Sequence, residues 1–266
     1  MKIGIVGCGT VGRAVEQLFA GRAEITAWDV AFDNAYPAAE LSVCDCVFVC
    51  VPTPPTKEGS ADLNFVHEAL SRLPAARVIL KSTVPPGTTS ALAKEYKKEL
   101  CYWPEYISES TYFNPFFGDR IESVPFVILG GAPKNRTWAL SILQSILGPT
   151  RRYFQCSELE AELIKYTENA FFAAKVTFAN EMQRVCAAHG ADWNIVREGW
   201  ILDPRVTPMH TLAFENDPGF DGKCLPKDLS AIVSSAVRNG YEPAFLKEVL
   251  RSNARFRCED MEQGDV

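Results

Sequence analysis

Residues 3–12, IGIVGCGTVG, decide the fold. Ile3 to Val6 is a short apolar run that reads as a buried strand. Gly7, Gly9 and Gly12 follow as a G-x-G-x-x-G, and the stretch from about Val11 to Phe19 reads as the helix they open. In this pattern the first glycine permits the tight turn, and the second lets a pyrophosphate approach the backbone. The third allows close packing of helix on sheet. The helix start then offers free N–H groups and the positive end of its dipole to phosphates. A second strand from Glu24 ends at Asp29, whose carboxylate can accept hydrogen bonds from a ribose diol and would repel a 2′-phosphate. NAD, rather than NADP, is the expected cofactor.

Outward from this unit, short apolar runs alternate with amphipathic stretches. Cys46 to Val51 reads as a third strand closed by Pro52, and Arg77 to Lys81 and Pro125 to Leu129 as two more. Helices are expected at Asn64 to Arg72, introduced by Asp62, at Thr88 to Lys98 and at Lys134 to Leu147. This alternation predicts an α/β domain with a Rossmann-type, doubly wound parallel sheet. The link from Val30 to Asp45 leaves little room for a full helix. Ser157 to His189 lacks proline and glycine, and places Leu159, Leu163, Tyr166, Ala170 and Ala173 at three-to-four spacing, which reads as one long helix. Helices follow at about Trp193 to Leu202, Asp228 to Arg238 and Pro243 to Phe256. The expected organisation is a dinucleotide-binding domain over 1–152 and an all-helical domain over 153–266.

Composition narrows the function. Over 266 residues, 27 Lys and Arg face 33 Asp and Glu, for a net charge of −6. A field of that sign gives no drive toward nucleic acid or an anionic membrane. No apolar run is long enough to span a bilayer, and the start reads as a strand rather than a signal peptide. The nine cysteines are scattered, and the three histidines, His67, His189 and His210, stand far apart. Neither a disulfide framework nor a metal site is expected. The cysteines read as reduced thiols of a cytoplasmic protein.

Two further stretches carry chemistry. In Gly219 to Asp228, GFDGKCLPKD, Cys224 stands at a glycine-rich turn into a helix with Lys227 nearby, a setting that favours thiolate. On the long helix, Lys165 and Asn169 are four apart, share a face and can converge on one ligand.

The stretches VGCGTVG, VPTPP, KSTVPPGTT, WPEYISE, AELIKYTENAFFAAKVTFANE, DPRV and GFDGKCLPKD occur in this order. In them the chain resembles the UDP-glucose/GDP-mannose dehydrogenase family, from Met1 to about Arg257. The resemblance implies an NAD-dependent four-electron oxidation of a nucleotide-sugar C6 alcohol to the carboxylate, of the UDP-glucose to UDP-glucuronate type. It implies that Cys224 is the nucleophile, passing through a thiohemiacetal and a thioester. It casts Lys165 as the holder of the developing oxyanion and Asn169 as its companion donor. Asp228 and Thr83 match a pair that positions water, and Glu105 matches the acid–base glutamate of an Asn-Pro-Glu motif. For NAD it implies contacts from Gly7, Gly9, Thr10, Val11, Gly12, Asp29, Val51, Pro52, Thr53, Thr83 and Lys227. For the nucleotide sugar it implies Glu105, Tyr106, Ile107, Lys165, Asn169, Phe220 and Gly222. Arg205 resembles an arginine that reaches the sugar site of a neighbouring subunit, which makes a homodimer through the helical domain the expected assembly.

The chain also departs from the family pattern. Members continue into a third domain that holds the nucleotide base. This chain stops at Val266, so weak UDP-sugar binding alone, or a separate chain completing the cleft, is expected. Asp221 replaces a glycine beside the cysteine, with Lys223 near enough to offset its charge, and Trp103 replaces an asparagine before Pro104 and Glu105. Two other readings stand beside the main one: a β-hydroxyacid-type dehydrogenase, which needs no cysteine, and a non-catalytic NAD-binding protein derived from the family.

Overall fold

The computed structural model describes residues 1–32, 34–107, 117–118 and 120–263, with side chains described as far as Cys258. Seven short strands form one sheet: β1 (Lys2–Val6), β2 (Glu24–Trp28), β3 (Cys46–Val49), β4 (Arg77–Leu80), β5 (Glu99–Tyr102), β6 (Phe126–Gly131) and β7 (Arg152–Cys156). Their order is β2-β1-β3-β4-β5-β6-β7. The central strands β3 and β4 are near-continuous apolar runs because helices cover both faces. The helices of this part are α1 (Thr10–Phe19), α2 (Ala38–Ser42), α3 (Asn64–Arg72), α4 (Thr88–Glu95) and α5 (Pro133–Leu147). One core, with Ile3, Ile5, Val15, Phe19, Phe48, Ile79 and Leu143, lies on one face. A second, with Val47, Val49, Leu70, Leu80, Leu100 and Tyr102, lies on the other.

The α/β architecture agrees with the sequence, with three differences. Strands β5 and β7 were not expected; β5 follows close on the end of α4, and β7 is an edge strand with an exposed face that carries Arg152. The sheet is not wholly parallel, because β5 and β6 run antiparallel while every other pair is parallel. The short link after β2 does hold a helix, the five-residue α2.

The chain forms two compact units, residues 1–56 with 61–165, and 57–60 with 166–266. The sequence reading divided the chain after residue 152, whereas β7 and the first turns of the long helix α6 (Glu158–Ala188) fall within the first unit. There Glu162, wholly buried, accepts hydrogen bonds from the N–H groups of Gly87 (2.6 Å) and Thr89 (2.7 Å), capping α4. The second unit holds the rest of α6 with α7 (Trp193–Trp200), α8 (Leu225–Arg238) and α9 (Ala244–Gln263). Ala170, Ala173, Phe220, Leu229 and Val249 form its core. Among the described residues no helix is long and apolar enough to cross a membrane.

Candidate active site

Strand register carries the sequence motifs of the first unit to one edge of the sheet. Val6 pairs with Trp28 and Val49, Val49 with Leu80, and Leu80 with Tyr102, so these strands end level with one another. Gly7, Asp29, Val51 to Thr53, Thr83 and Glu105 follow directly after those ends. The chain runs from β1 out to β2 and then crosses back to β3 on the other side of β1, and this is the switch point where open α/β sheets bind ligands.

The glycine loop at that point fits a dinucleotide. Gly7 has φ +91°, in the left-handed region. A Cβ on Gly12 would lie 1.9 Å from the Gly7 carbonyl oxygen, so helix α1 can start this close to the loop only with glycine there. A Cβ on Gly9 would meet nothing within 4 Å, which leaves an open cradle at the start of α1, beside Thr10 and Val11. Asp29 Oδ2 accepts the Cys8 N–H at 2.6 Å, and Oδ1 accepts the Ala31 N–H at 2.9 Å. The carboxylate therefore pins the glycine loop, and each oxygen keeps a lone pair for a ribose hydroxyl. Sequence reasoning missed this tethering. Further along the edge, Thr53 Oγ1 donates to the Thr83 carbonyl at 2.7 Å, and Ser82 Oγ donates to the Val51 carbonyl at 2.6 Å. These bonds tie the loop Val51-Pro52-Thr53 to the end of β4.

Beyond β5, Glu105 forms a buried ion pair with Lys81, Oε2 to Nζ 2.8 Å. Its Oε1 accepts the N–H groups of Tyr106 (2.7 Å) and Ile107 (2.8 Å). Burial pushes the carboxyl up, but the Lys81 ammonium and these two N–H donors outweigh it and leave the group below its ordinary value. Lys165 on α6 lies with Nζ 4.9 Å from the Tyr106 ring centroid. Ser108 and Glu109, which end the WPEYISE motif, lie outside the described residues.

In the second unit, Cys224 is exposed and immediately precedes α8. Asp228 follows in the first turn, 2% exposed, and its N–H donates to the Cys224 carbonyl at 2.8 Å. Asn169 Nδ2 donates to Asp228 Oδ2 at 2.6 Å, and Lys227 pairs with Oδ1. Thus buried Asn169 and Asp228 and half-buried Lys227 form one group beside the start of α8. Phe220 turns its side chain into the core, while its backbone is gripped on both sides by Asn253 of α9: Oδ1 accepts the N–H at 2.6 Å, and Nδ2 donates to the carbonyl at 2.9 Å. Asn180 accepts the Gly219 N–H at 2.9 Å. Gly222 has φ +84° and is exposed.

Asp221 was expected to depend on Lys223 for charge compensation. It pairs instead with Arg257 of α9 at 2.9 Å, and Arg257 also holds Asp217 at 3.1 Å. Asn180, Asn253 and Arg257 were all missed as supports of the cysteine loop, because their partners lie far along the chain. Arg205 is 88% exposed and lies against Asp203, with its Nε 3.0 Å from Oδ1. Among the described residues no three His, Cys, Asp or Glu side chains are grouped to hold a metal ion.

Fold and glycine loop together define the class, a dinucleotide-binding α/β protein with a helical second part. Two profiles of the UDP-glucose/GDP-mannose dehydrogenase family match the sequence, the NAD binding domain over residues 25–142 and the central domain over 159–255. The UDP-glucose 6-dehydrogenase of Rickettsia bellii is 32% identical over 227 residues, covering 80% of this chain and 50% of that protein. That of Pseudomonas aeruginosa is 33% identical over 239 residues, covering 82% and 50%. Among solved structures, a UDP-glucose dehydrogenase from the archaeon Pyrobaculum islandicum aligns with a TM-score of 0.78 at 27% identity, covering 96% of this chain and 68% of that one. The chain belongs to the UDP-glucose/GDP-mannose dehydrogenase family, and its cofactor is NAD. It spans about half the length of the curated relatives it matches.

Proposed function

We propose that the protein oxidises the C6 alcohol of a nucleotide sugar to the carboxylate, as in UDP-glucose to UDP-glucuronate. The observation that carries this is the exposed Cys224 at the start of α8, with Asp228, Asn169 and Lys227 joined in one hydrogen-bonded group beside that start. A helix N-terminus favours thiolate. Bound NAD supplies the hydride acceptor. The Cys224 thiolate adds to the intermediate aldehyde, loss of hydride from that adduct gives a thioester, and water releases the acid. Asn169 gives one N–H to Asp228 and keeps the other for an oxyanion, and Lys165, four residues earlier on α6, is its companion donor. Asp228 positions water, and Lys227 offsets the Asp228 charge. Arg205 reaches the sugar site of a second copy, so the working assembly is a homodimer through the helical unit.

The test is NADH formation across several nucleotide sugars, with free sugars as controls. Two NADH per carboxylate, and loss of net turnover in Cys224→Ser, are expected, because an oxygen ester forms and hydrolyses less readily than a thioester. An unimpaired Cys224→Ser enzyme would remove the cysteine from the mechanism, and one NADH per product would point to the β-hydroxyacid type.

A further inference from the structure

Lys81 and Glu105 belong to separate motifs, KSTVPPGTT and WPEYISE, and the reaction above leaves Lys81 without a role. Their side chains are 1% and 12% exposed and lie 2.8 Å apart, Nζ to Oε2. Two charges taken this far from water are costly unless each has further partners. Both do. Lys81 Nζ lies 3.9 Å from the centroid of Trp103, whose ring face attracts a cation, and 3.4 Å from the Pro104 carbonyl oxygen. The other Glu105 oxygen accepts the N–H groups of Tyr106 and Ile107. The indole stands where the family pattern has asparagine, so this chain supports its lysine with a ring face at that position.

We propose that Lys81 is a positioning residue for the dehydrogenase reaction. Paired with Glu105 beneath the Trp103 ring, it holds the glutamate in one rotamer as an ionised acceptor that orients substrate or water and does not donate a proton. The role in catalysis rests on the function proposed above, while the state of the pair does not. Among the described residues, Cys50 is a titratable group that interacts with both members of the pair, and Lys165, on α6, stands nearby on the Tyr106 ring. The Cys50 thiol, after β3, is pushed up by burial, with Lys81 opposing and Glu105 adding, so it brings no charge at neutral pH. The downward direction found for Glu105 agrees with the geometry.

The test is carbon NMR of the full chain labelled in its glutamate carboxyls, with the Glu105 signal assigned through Glu105→Gln. In the wild type this signal should titrate below the ordinary carboxylate range. In Lys81→Gln it should move up by about one to three units, the effect of losing an opposite charge at this distance, and Lys81→Arg should bring it back. With a nucleotide sugar that yields NADH, Lys81→Gln should lower kcat and move the acid limb of the pH profile upward. KM for NAD should stay within about twofold, an outcome that a general loss of structure would not give. A wild-type Glu105 that titrates in or above the ordinary range overturns the proposal, even if Lys81→Gln does not fold. So does a Lys81→Gln signal that stays in place. If no nucleotide sugar yields NADH, the functional reading fails, while the titration still decides the state of the pair.

Discussion

Two glycines of one loop differ in what they permit, and this gives the first expectation at the scale of single residues. A methyl group on Gly12 would lie 1.9 Å from a backbone oxygen, while one on Gly9 would meet no protein atom within 4 Å. Gly12→Ala should therefore lower stability by more than about 1 kcal/mol, because backbone must move. Gly9→Ala should leave the melting temperature nearly unchanged and weaken NAD by about tenfold or more, since only the phosphate would meet the methyl. Calorimetry of NAD binding beside thermal melts separates the two. Glu162 gives a second expectation. Burial pushes its carboxyl up to about 7, outweighing the opposing donors of Thr89 and Gly87. Between the ordinary value of 4.5 and about 7 the folded chain keeps a proton that the unfolded chain has lost. Stability should thus fall as pH rises through that window and level off above it, by a few kcal/mol at about 1.4 kcal/mol per unit. The stability of wild type should fall relative to that of Glu162→Gln from roughly pH 5 to pH 7.5; parallel curves would remove the assignment.

At the scale of elements, α9 is the support of the cysteine loop. Asn253 satisfies both backbone groups of the buried Phe220, and replacing it leaves two polar groups unpaired at about 1–3 kcal/mol each. Asn253→Ala should lower the melting temperature and change the rate at which the exposed Cys224 reacts with a thiol reagent, read in a Cys258→Ser background because Cys258 is the other exposed thiol. An unchanged Cys224 rate would mean that α9 does not position the loop. None of this was legible in the sequence, because Asn253 and Phe220 meet only through packing. Local patterns were legible. The glycine loop and Asp29 act over one strand–helix–strand unit, and the long helix declares itself by period and by lack of breakers. Strand β5 was hidden because it follows directly on the stretch expected as helix to Lys98, with no turn signal between them, and β7 by its mixed, exposed face. With β5 missed, there was no register to bring Lys81 beside Glu105, so the partner of a recognised glutamate stayed unseen.

At the scale of the whole molecule, α6 leaves a row of apolar side chains exposed among the described residues. Phe171, Phe178 and Val185 of α6 are 59%, 52% and 40% exposed. They stand seven residues apart, which keeps them on one helix face. They span roughly 21 Å at 1.5 Å per residue. Ile195 on α7 and Leu202 just after it are more exposed still, at 73% and 82%. Scattered apolar residues on a surface need no explanation, but three large ones repeated on one helix face call for one. A stable dimer hides about 800 Å² per partner, and a face of this length on a helix pair is suited to supply it. Sedimentation should therefore give a mass near twice 29.4 kDa. Phe171→Glu combined with Val185→Glu should return the chain to the monomer, because two buried like charges per protomer lie in the proposed seam. NAD affinity should stay within about twofold in that variant, since the glycine loop and Asp29 belong to the first unit and the substitutions to the second. A wild-type chain that sediments as a monomer at tens of micromolar would leave the stripe without its proposed occupant. A dimer that survives both substitutions would place the interface on another face.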